Sequence, residues 1–138
     1  MATLYESRKM TIPETHPEHQ DYWDAAKEGK LLIKQCVSCG EYHYYPRVLC
    51  PFCMSDKTMW KEAKGTGSIY TYSVMRKGTP YAIAYVTLDE GPRMMTNIVD
   101  CNLDAVHIGQ KVKVVFKQSG DQENSGPFVP CFTPIEID

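Results

Sequence analysis

The chain has 138 residues, of which 43% are hydrophobic and 23% charged, which is typical of one compact globular domain or two very small ones. The net charge of -2 at pH 7 argues against a global attraction to nucleic acid or anionic lipid, so any basic site must be local. No apolar run approaches the roughly 18 residues that cross a bilayer, and the polar, partly acidic start lacks the apolar centre of a secretory signal; we therefore expect a cytoplasmic protein.

The first predicted element is a helix that opens at Thr15 and runs to about Glu28. Thr15 can cap the first turn, Glu18 can reach back to it three residues later, and Pro17 is tolerated there. Gly29 supplies the stop. The side chains expected on the buried face are His19, Tyr22, Trp23 and Ala26.

Two Cys-x-x-Cys pairs follow, the first at the end of a predicted short strand, Leu31–Cys36, and the second after an aromatic segment. Each pair points two sulfurs at one position, and two such turns make a closed tetrahedral site. We predict a structural zinc ribbon, because four thiolates leave no open coordination position. Disulfides and a rubredoxin-like iron site remain alternatives. The predicted ligands are Cys36, Cys39, Cys50 and Cys53.

The remaining cysteines, Cys101 and Cys131, have no neighbour at metal-ligand spacing. We expect two small buried hydrophobic residues, with a nucleophile or a second metal site as the alternative.

From Gly65 onward, strand-length runs alternate with turn residues, which predicts a mainly β fold ending in a five-stranded OB-type barrel. Residues 1–30 are then a helical segment, 31–64 the zinc ribbon and 65–138 the OB-fold domain. Residues 118–126 are expected to form a mobile polar loop, and Leu103–Ile108 one helical turn or a loop. The predicted strands, the last of them edge-like, are Ser68–Met75, Tyr81–Leu88, Arg93–Val99, Lys111–Lys117 and Phe128–Thr133.

Alternation within these strands predicts their two faces. Ala82, Ala84, Val86 and Leu88 share one face of the second strand, and Tyr81, Ile83, Tyr85 and Thr87 share the other. Asp89–Pro92 is expected to be the turn into the third strand.

Catalytic signatures are missing from the sequence. None of the four histidines lies in a serine-, carboxylate- or metal-containing motif, and no glycine-rich phosphate loop is present. His43, within an aromatic run, is the one candidate for an independent hydrolase, and a packing role is its alternative. We therefore expect no catalytic residues in this chain.

Cations and aromatic residues are interleaved in the second half of the ribbon and at the ends of the first three barrel strands. Such a mixture suits a polyanionic, nucleotide-like ligand. The alternative is that the tyrosines join ribbon to barrel and the cations are solvated. The cations are Arg47, Lys61, Lys64, Arg76, Lys77 and Arg93; the aromatic residues are Tyr42, Tyr44, Tyr45, Trp60, Tyr70 and Tyr72.

An ordered set of motifs resembles the acyl-CoA-associated zinc-ribbon and OB-fold family, whose members are similar to accessory subunits of thiolase, aldolase or synthase partners. The match extends from about His16 to Pro134. The motifs are Tyr22-Trp23, Cys36-Val37-Ser38-Cys39-Gly40, Pro46-Arg47, Cys50-Pro51-Phe52-Cys53, Trp60, Gly65-Thr66-Gly67, Tyr81-Ala82-Ile83-Ala84 and Leu88-Asp89-Glu90-Gly91-Pro92-Arg93.

The resemblance implies a rubredoxin-like ribbon that binds structural zinc and a hetero-oligomer with a thiolase-like catalytic subunit. It also implies a coenzyme A thioester as a ligand shared with that partner. Arg47 and the Glu90–Arg93 turn would face partner or ligand, and Tyr45 stands where many relatives have a second proline. The candidate ligand- or partner-binding residues are Arg47, Tyr45, Lys64, Arg76, Lys77 and Arg93.

A second hypothesis is a single-stranded nucleic-acid-binding protein, because zinc ribbons and OB folds both serve that purpose. The acidic balance of the chain opposes it, since neutralising a nucleic-acid backbone normally requires a broad basic stripe.

Overall fold

A short 3₁₀ turn, Pro17–His19, leads directly into helix α1, Gln20–Lys27. The computed structural model describes residue 13, residues 15–120 and residues 125–135. The predicted cap at Thr15 is wrong: the residue before the turn is His16, which has an extended backbone and makes no side-chain cap, and Pro17 starts the turn by its fixed φ.

The predicted stop at Gly29 is confirmed. Its φ is +82°, a conformation that costs glycine little. The Gly29 N–H donates to the Ala26 carbonyl at 3.0 Å, and the Lys30 N–H donates to the Ala25 carbonyl at 2.8 Å. These two bonds pair with carbonyls of the last helical turn and end the helix.

The ribbon is a three-stranded antiparallel sheet with the order β2-β1-β3. Its strands are β1, Leu32–Cys36, β2, Tyr42–His43, and β3, Thr58–Glu62. Strand β3 was not predicted from the sequence. This strand pairs with β1 along its whole length, from Leu32 opposite Glu62 to Cys36 opposite Thr58.

The second half is a closed five-stranded barrel, which confirms the predicted fold class. The strands pair in the order β4-β5-β6-β8-β7, and a 3₁₀ turn, Leu103–Ala105, lies between β6 and β7. The strands are β4, Thr66–Met75, β5, Tyr81–Leu88, β6, Arg93–Ile98, β7, Lys111–Gly120, and β8, Ser125–Pro134.

The last two strands differ from the prediction. The polar stretch 118–126, expected to be a loop, contributes residues to both β7 and β8; residues 121–124 lie outside the described residues. Ser119 is buried, and its hydroxyl donates to the Pro127 carbonyl at 2.6 Å. The edge-like assignment of the fifth strand is also wrong, because β8 pairs with both β7 and β6 as the barrel closes.

One hydrophobic core connects the helix, the ribbon and the barrel. Tyr22 from α1 and Leu31, Ile33 and Ala63 from the ribbon belong to the same buried cluster as the inward side chains of the barrel strands. The predicted alternation of β5 is confirmed, since Ala82, Ala84, Val86 and Leu88 are all buried. No helix among the described residues is long and apolar enough to span a membrane.

The two remaining cysteines lie inside or beside the core. Cys131 is buried against Val99, as expected of a small hydrophobic residue. Cys101 is half-buried and packs against the main core. Burial raises the pKa of the Cys101 thiol, which disfavours the thiolate that a nucleophile requires.

Candidate functional site

The four predicted metal ligands meet at one position. Their Sγ atoms all lie within 4.8 Å of one another. The Cys36–Cys53 sulfurs are 3.6 Å apart and the Cys39–Cys50 sulfurs 3.7 Å apart, close to the roughly 3.8 Å edge of a tetrahedron with zinc–sulfur bonds of about 2.3 Å. These separations are far longer than the S–S bond of about 2.05 Å that the disulfide alternative requires. The donor set therefore fits a structural zinc ion.

Two backbone turns aim the sulfurs. The Gly40 N–H donates to the Cys36 carbonyl at 2.8 Å, and the Met54 N–H donates to the Cys50 carbonyl at 2.9 Å. Gly40 adopts a φ of +78° within the first turn, which has little cost for a residue without a Cβ.

Backbone amides also point at two of the sulfurs. The Cys39 N–H donates to the Cys36 sulfur at 3.5 Å, and the Phe52 N–H donates to the Cys50 sulfur at 3.4 Å. Led by the hydrogen bond from Cys39, these surroundings lower the pKa of Cys36 to about 6. A thiolate is the form that binds zinc, so the ribbon prepares this sulfur for the metal.

His43 is buried beside the loop that leads to the second cysteine pair. Only 3% of its surface is exposed, and its Nε2 accepts the Arg47 backbone N–H at 3.2 Å. Its Nδ1 has no hydrogen-bond partner among the described residues. Burial lowers the pKa of His43 and keeps the ring neutral. This placement favours packing and loop fixation over the proton transfer that an independent hydrolase would require.

The predicted cations do not come together at one position. Arg93 lies opposite Thr87, which pairs with Ser68 near the start of β4, whereas Arg76 follows the far end of that strand. The two ends of β4 from Ser68 to Met75 are about 23 Å apart at the usual rise per residue. The cations therefore fall into separate regions of the surface.

Each of these cations has different surroundings. The Arg76 guanidinium pairs with the Asp104 carboxylate at 2.7 Å, and Lys77 lies in the turn after it. The Lys64 backbone N–H donates to the Glu90 carboxylate at 2.9 Å. The Arg93 guanidinium lies over the Tyr70 ring, 4.0 Å from its centre.

Several of the aromatic residues join the parts of the molecule. The Tyr22 and Tyr44 hydroxyls are hydrogen bonded at 2.7 Å, and the Tyr45 ring packs edge-on against His19 and Tyr22. Burial raises the pKa of both Tyr22 and Tyr44, so these hydroxyls remain protonated. The Trp60 ring packs against the core under the Lys34 ammonium, 4.3 Å away.

A groove of about 570 Å³ places Arg47 and Tyr45 on the same side of the ribbon. The apolar part of this groove comes from the loop around the second cysteine pair, and its polar part from Arg47 in that loop and from the start of the helical segment. The lining residues are His16, Glu18, His19, Tyr45, Pro46, Arg47, Val48, Leu49, Cys50, Pro51 and Met54.

A second groove, also of about 570 Å³, lies between this aromatic layer and the outside of the barrel. It was not predicted from the sequence, because its walls come from α1, the ribbon loop, β5, β6 and β8, which are distant along the chain. The indole Nε1 of Trp23 is buried without an acceptor among the described residues. The lining residues are Pro13, Tyr22, Trp23, Tyr44, Tyr45, Tyr81, Ile83, Met95, Thr96, Asn97, Val129 and Pro130.

Comparison with known proteins agrees with this architecture. Residues 23–58 match the family model of the ChsH2 rubredoxin-like zinc ribbon domain, and residues 60–117 match that of the ChsH2 C-terminal OB-fold domain. A DUF35 domain-containing scaffold protein of Methanocaldococcus jannaschii is 37% identical over 126 residues, which cover 83% of this chain and 89% of that protein. A scaffold protein of the same description from Methanothermobacter thermautotrophicus is 36% identical, over 70% of this chain and 78% of its own length.

A probable enoyl-CoA hydratase alpha subunit of Thermomonospora curvata is 34% identical over 72% of this chain, but the matched region is only 33% of that protein.

Two solved structures share the fold. A chain of the Ltp2-ChsH2(DUF35) aldolase superposes with a TM-score of 0.73 and 32% identity, over 88% of this chain and 98% of that one. A DUF35 family protein of Sulfolobus solfataricus superposes with a TM-score of 0.62 at 16% identity, over 88% of this chain and 87% of that one, which shows the fold alone. The zinc ribbon, the barrel and the ordered sequence motifs all agree with these relatives. The chain therefore belongs to the DUF35 family of proteins with a ChsH2-like zinc ribbon and OB-fold domain.

Proposed function

We propose that this chain is a non-catalytic accessory subunit of a thiolase-like complex that forms or cleaves a carbon–carbon bond of an acyl-CoA. The observation that carries the proposal is the likeness, at 32% identity and over 98% of its length, to a chain of an aldolase whose name joins two proteins, Ltp2 and ChsH2. The description of the archaeal relatives as scaffold proteins supports the same role.

The chemistry of the described residues is consistent with a supporting role. The four ribbon cysteines saturate a metal site, Cys131 is buried, and His43 accepts a backbone hydrogen bond in the interior. His19 is also buried, and its Nε2 lies 2.8 Å from the Pro46 carbonyl oxygen. A thiolase needs an accessible cysteine nucleophile with histidine partners, so the catalytic groups would come from the partner.

The coenzyme A thioester is proposed to lie where the two subunits meet. Arg47 and Tyr45 are the best placed of the predicted ligand residues, since they share a groove in which a cation and an aromatic face adjoin apolar surface. Such a combination suits the phosphates and the base of a nucleotide. Arg76 is less suited, because Asp104 already pairs with it.

The test is a tagged purification of this chain from its native host, with mass spectrometry of the accompanying proteins and an acyl-CoA cleavage assay. We expect a thiolase-like chain to co-purify and its activity to fall when this subunit is removed. Adding back the wild-type chain should restore activity, as should Cys101→Ser, whereas Cys36→Ser should not, because it loses a metal ligand. Full activity of the partner alone would contradict the proposal.

The nucleic-acid hypothesis has less support. The exposed aromatic residues Tyr70 and Tyr72 lie on β4, but strands β4, β5 and β6 carry only Arg93 as a charged residue. One cation neutralises too little phosphate for binding to a single strand. A salt-dependent gel shift with a single-stranded oligonucleotide would restore this hypothesis.

A further inference from the structure

The outer face of the barrel across β4, β5 and β6 is nearly free of charge and carries large apolar side chains among small polar ones. An antiparallel sheet with one face in water normally carries polar residues on that face. Here Arg93 is the one charged residue in the three strands. The adjoining strand β7 shows the usual pattern, with exposed lysines at positions 111 and 113.

The strand register brings the exposed apolar side chains together. Tyr85 is directly opposite Met95 on β6, and Ile83 occupies the same outer face of β5 two residues away. On β4, the register shifts between Ile69 and Thr71, so Tyr70 lies at a bulge next to Tyr85. A bulge redirects the side chain of the extra residue, and Tyr70 is exposed beside the residues of β5 and β6. We call Tyr70, Ile83, Tyr85 and Met95 the apolar face; their exposed fractions are 52%, 41%, 45% and 62%.

The apolar face continues into the second groove. Ile83 and Met95 belong to both, Tyr81 continues the same face of β5, and Trp23 and Tyr45 line the groove from α1 and the ribbon loop. An exposed apolar surface beside an aromatic cleft has the form of a protein-binding site, in which one inserted side chain supplies much of the affinity.

Arg93 gives this surface a charge preference. Its guanidinium is held over the Tyr70 ring and makes no ion pair within the described part of the chain. A planar, stacked guanidinium is well suited to receive a carboxylate through two parallel hydrogen bonds. The surface is therefore complementary to an apolar ridge that carries an acidic residue at its edge.

We propose that the apolar face and the second groove bind the catalytic partner subunit, with Arg93 pairing to a carboxylate of that partner. This inference rests on the proposed function and names the surface that serves it. A second copy of this chain fits less well: a two-fold contact places like patches together, and the carboxylates next to Arg93 in the chain, Asp89 and Glu90, already accept hydrogen bonds from the Thr66 hydroxyl and the Lys64 backbone N–H.

The test compares binding of purified variants to the thiolase-like subunit that co-purifies with the wild-type chain, by titration calorimetry. Met95→Glu and Tyr85→Glu each place a charge in the apolar face, and we expect Kd to rise by roughly 30-fold or more. Arg93→Glu should also weaken binding, because it reverses the proposed pair. The matched control is Met59→Glu, the same substitution at an exposed position of β3 in the ribbon, for which Kd should stay within about twofold, as for a residue outside the contact.

Zinc content and thermal unfolding of each variant show whether it is folded. If folded Met95→Glu and Tyr85→Glu bind like the wild type, or if Met59→Glu weakens binding equally, the proposed surface is wrong while the accessory role stands. If the wild-type chain captures no thiolase-like subunit, the accessory role itself is wrong. If the chain alone is a dimer that Met95→Glu dissociates, the face binds a second copy and the proposal is overturned.

Discussion

At the scale of single residues, the buried neutral ring of His43 supports the zinc ribbon although it is not one of the four metal ligands. Its Nε2 must be unprotonated to accept the Arg47 N–H. Because burial lowers the pKa of His43 below the ordinary value of 6.5, the unfolded chain binds this proton at a higher pH than the folded chain does. Stability should therefore be lost as the pH falls through 6.5 toward the folded pKa.

The corresponding prediction concerns His43→Gln, which retains an acceptor but does not titrate. We expect the free energy of unfolding of this variant to depend less on pH below 6.5 than that of the wild type. Denaturant unfolding at a series of pH values, with zinc in excess, measures the difference. All other titratable groups are the same in the two proteins, so an identical slope would show that His43 does not contribute to the pH dependence of unfolding.

At the scale of secondary-structure elements, the start of β4 depends on two glycines that let three strands approach. A Cβ added to Gly67 would lie 2.3 Å from the Thr87 carbonyl oxygen and 2.9 Å from a Val86 methyl group, and a Cβ on Gly65 would lie 2.6 Å from a Val114 methyl group. Because the Thr87 oxygen belongs to the backbone of β5, Gly67→Ala requires the strands to separate.

We expect Gly67→Ala to destabilise the protein by about 3 kcal/mol, the upper end of the usual cost of overpacking. Gly78→Ala is the matched control, because Gly78 has open space around its Cβ position and only its φ of +76° opposes the change. That strain should cost about 1 kcal/mol. Urea unfolding measures the stability of both variants. Equal losses of stability would mean that the contact between position 67 and β5 does not limit how closely the barrel strands pack.

The individual elements differ in how well local sequence predicts their structure. The cysteine site was predictable because each turn is encoded by residues three apart, and β5 because its alternation is complete. Residues 118–120 carry no such signal: their strand conformation comes from pairing with β8, which local polarity does not reveal. The second groove was beyond prediction for the same reason, since it exists only after α1 packs over the barrel.

At the scale of the whole molecule, ribbon and barrel share a core, and this couples the metal to strands that do not touch it. Leu31, Ile33 and Ala63 from the ribbon pack in the same cluster as Val86 and Ile98 from the barrel. Metal binding contributes on the order of 10–16 kcal/mol in comparable small ribbons. If the ribbon unfolds without zinc, the barrel therefore loses one wall of its core.

We accordingly expect removal of zinc with a chelator to lower the thermal stability of the barrel as well as that of the ribbon. Hydrogen exchange should accelerate at the amides of β1 and β3 and, to a smaller extent, at those of β5, which contains Val86. Re-addition of zinc should reverse the effect. Magnesium should not, because it prefers oxygen ligands to thiolates. Unchanged exchange throughout β5 in the metal-free protein would show that the barrel is stable without the ribbon, and that zinc stabilises only the ribbon.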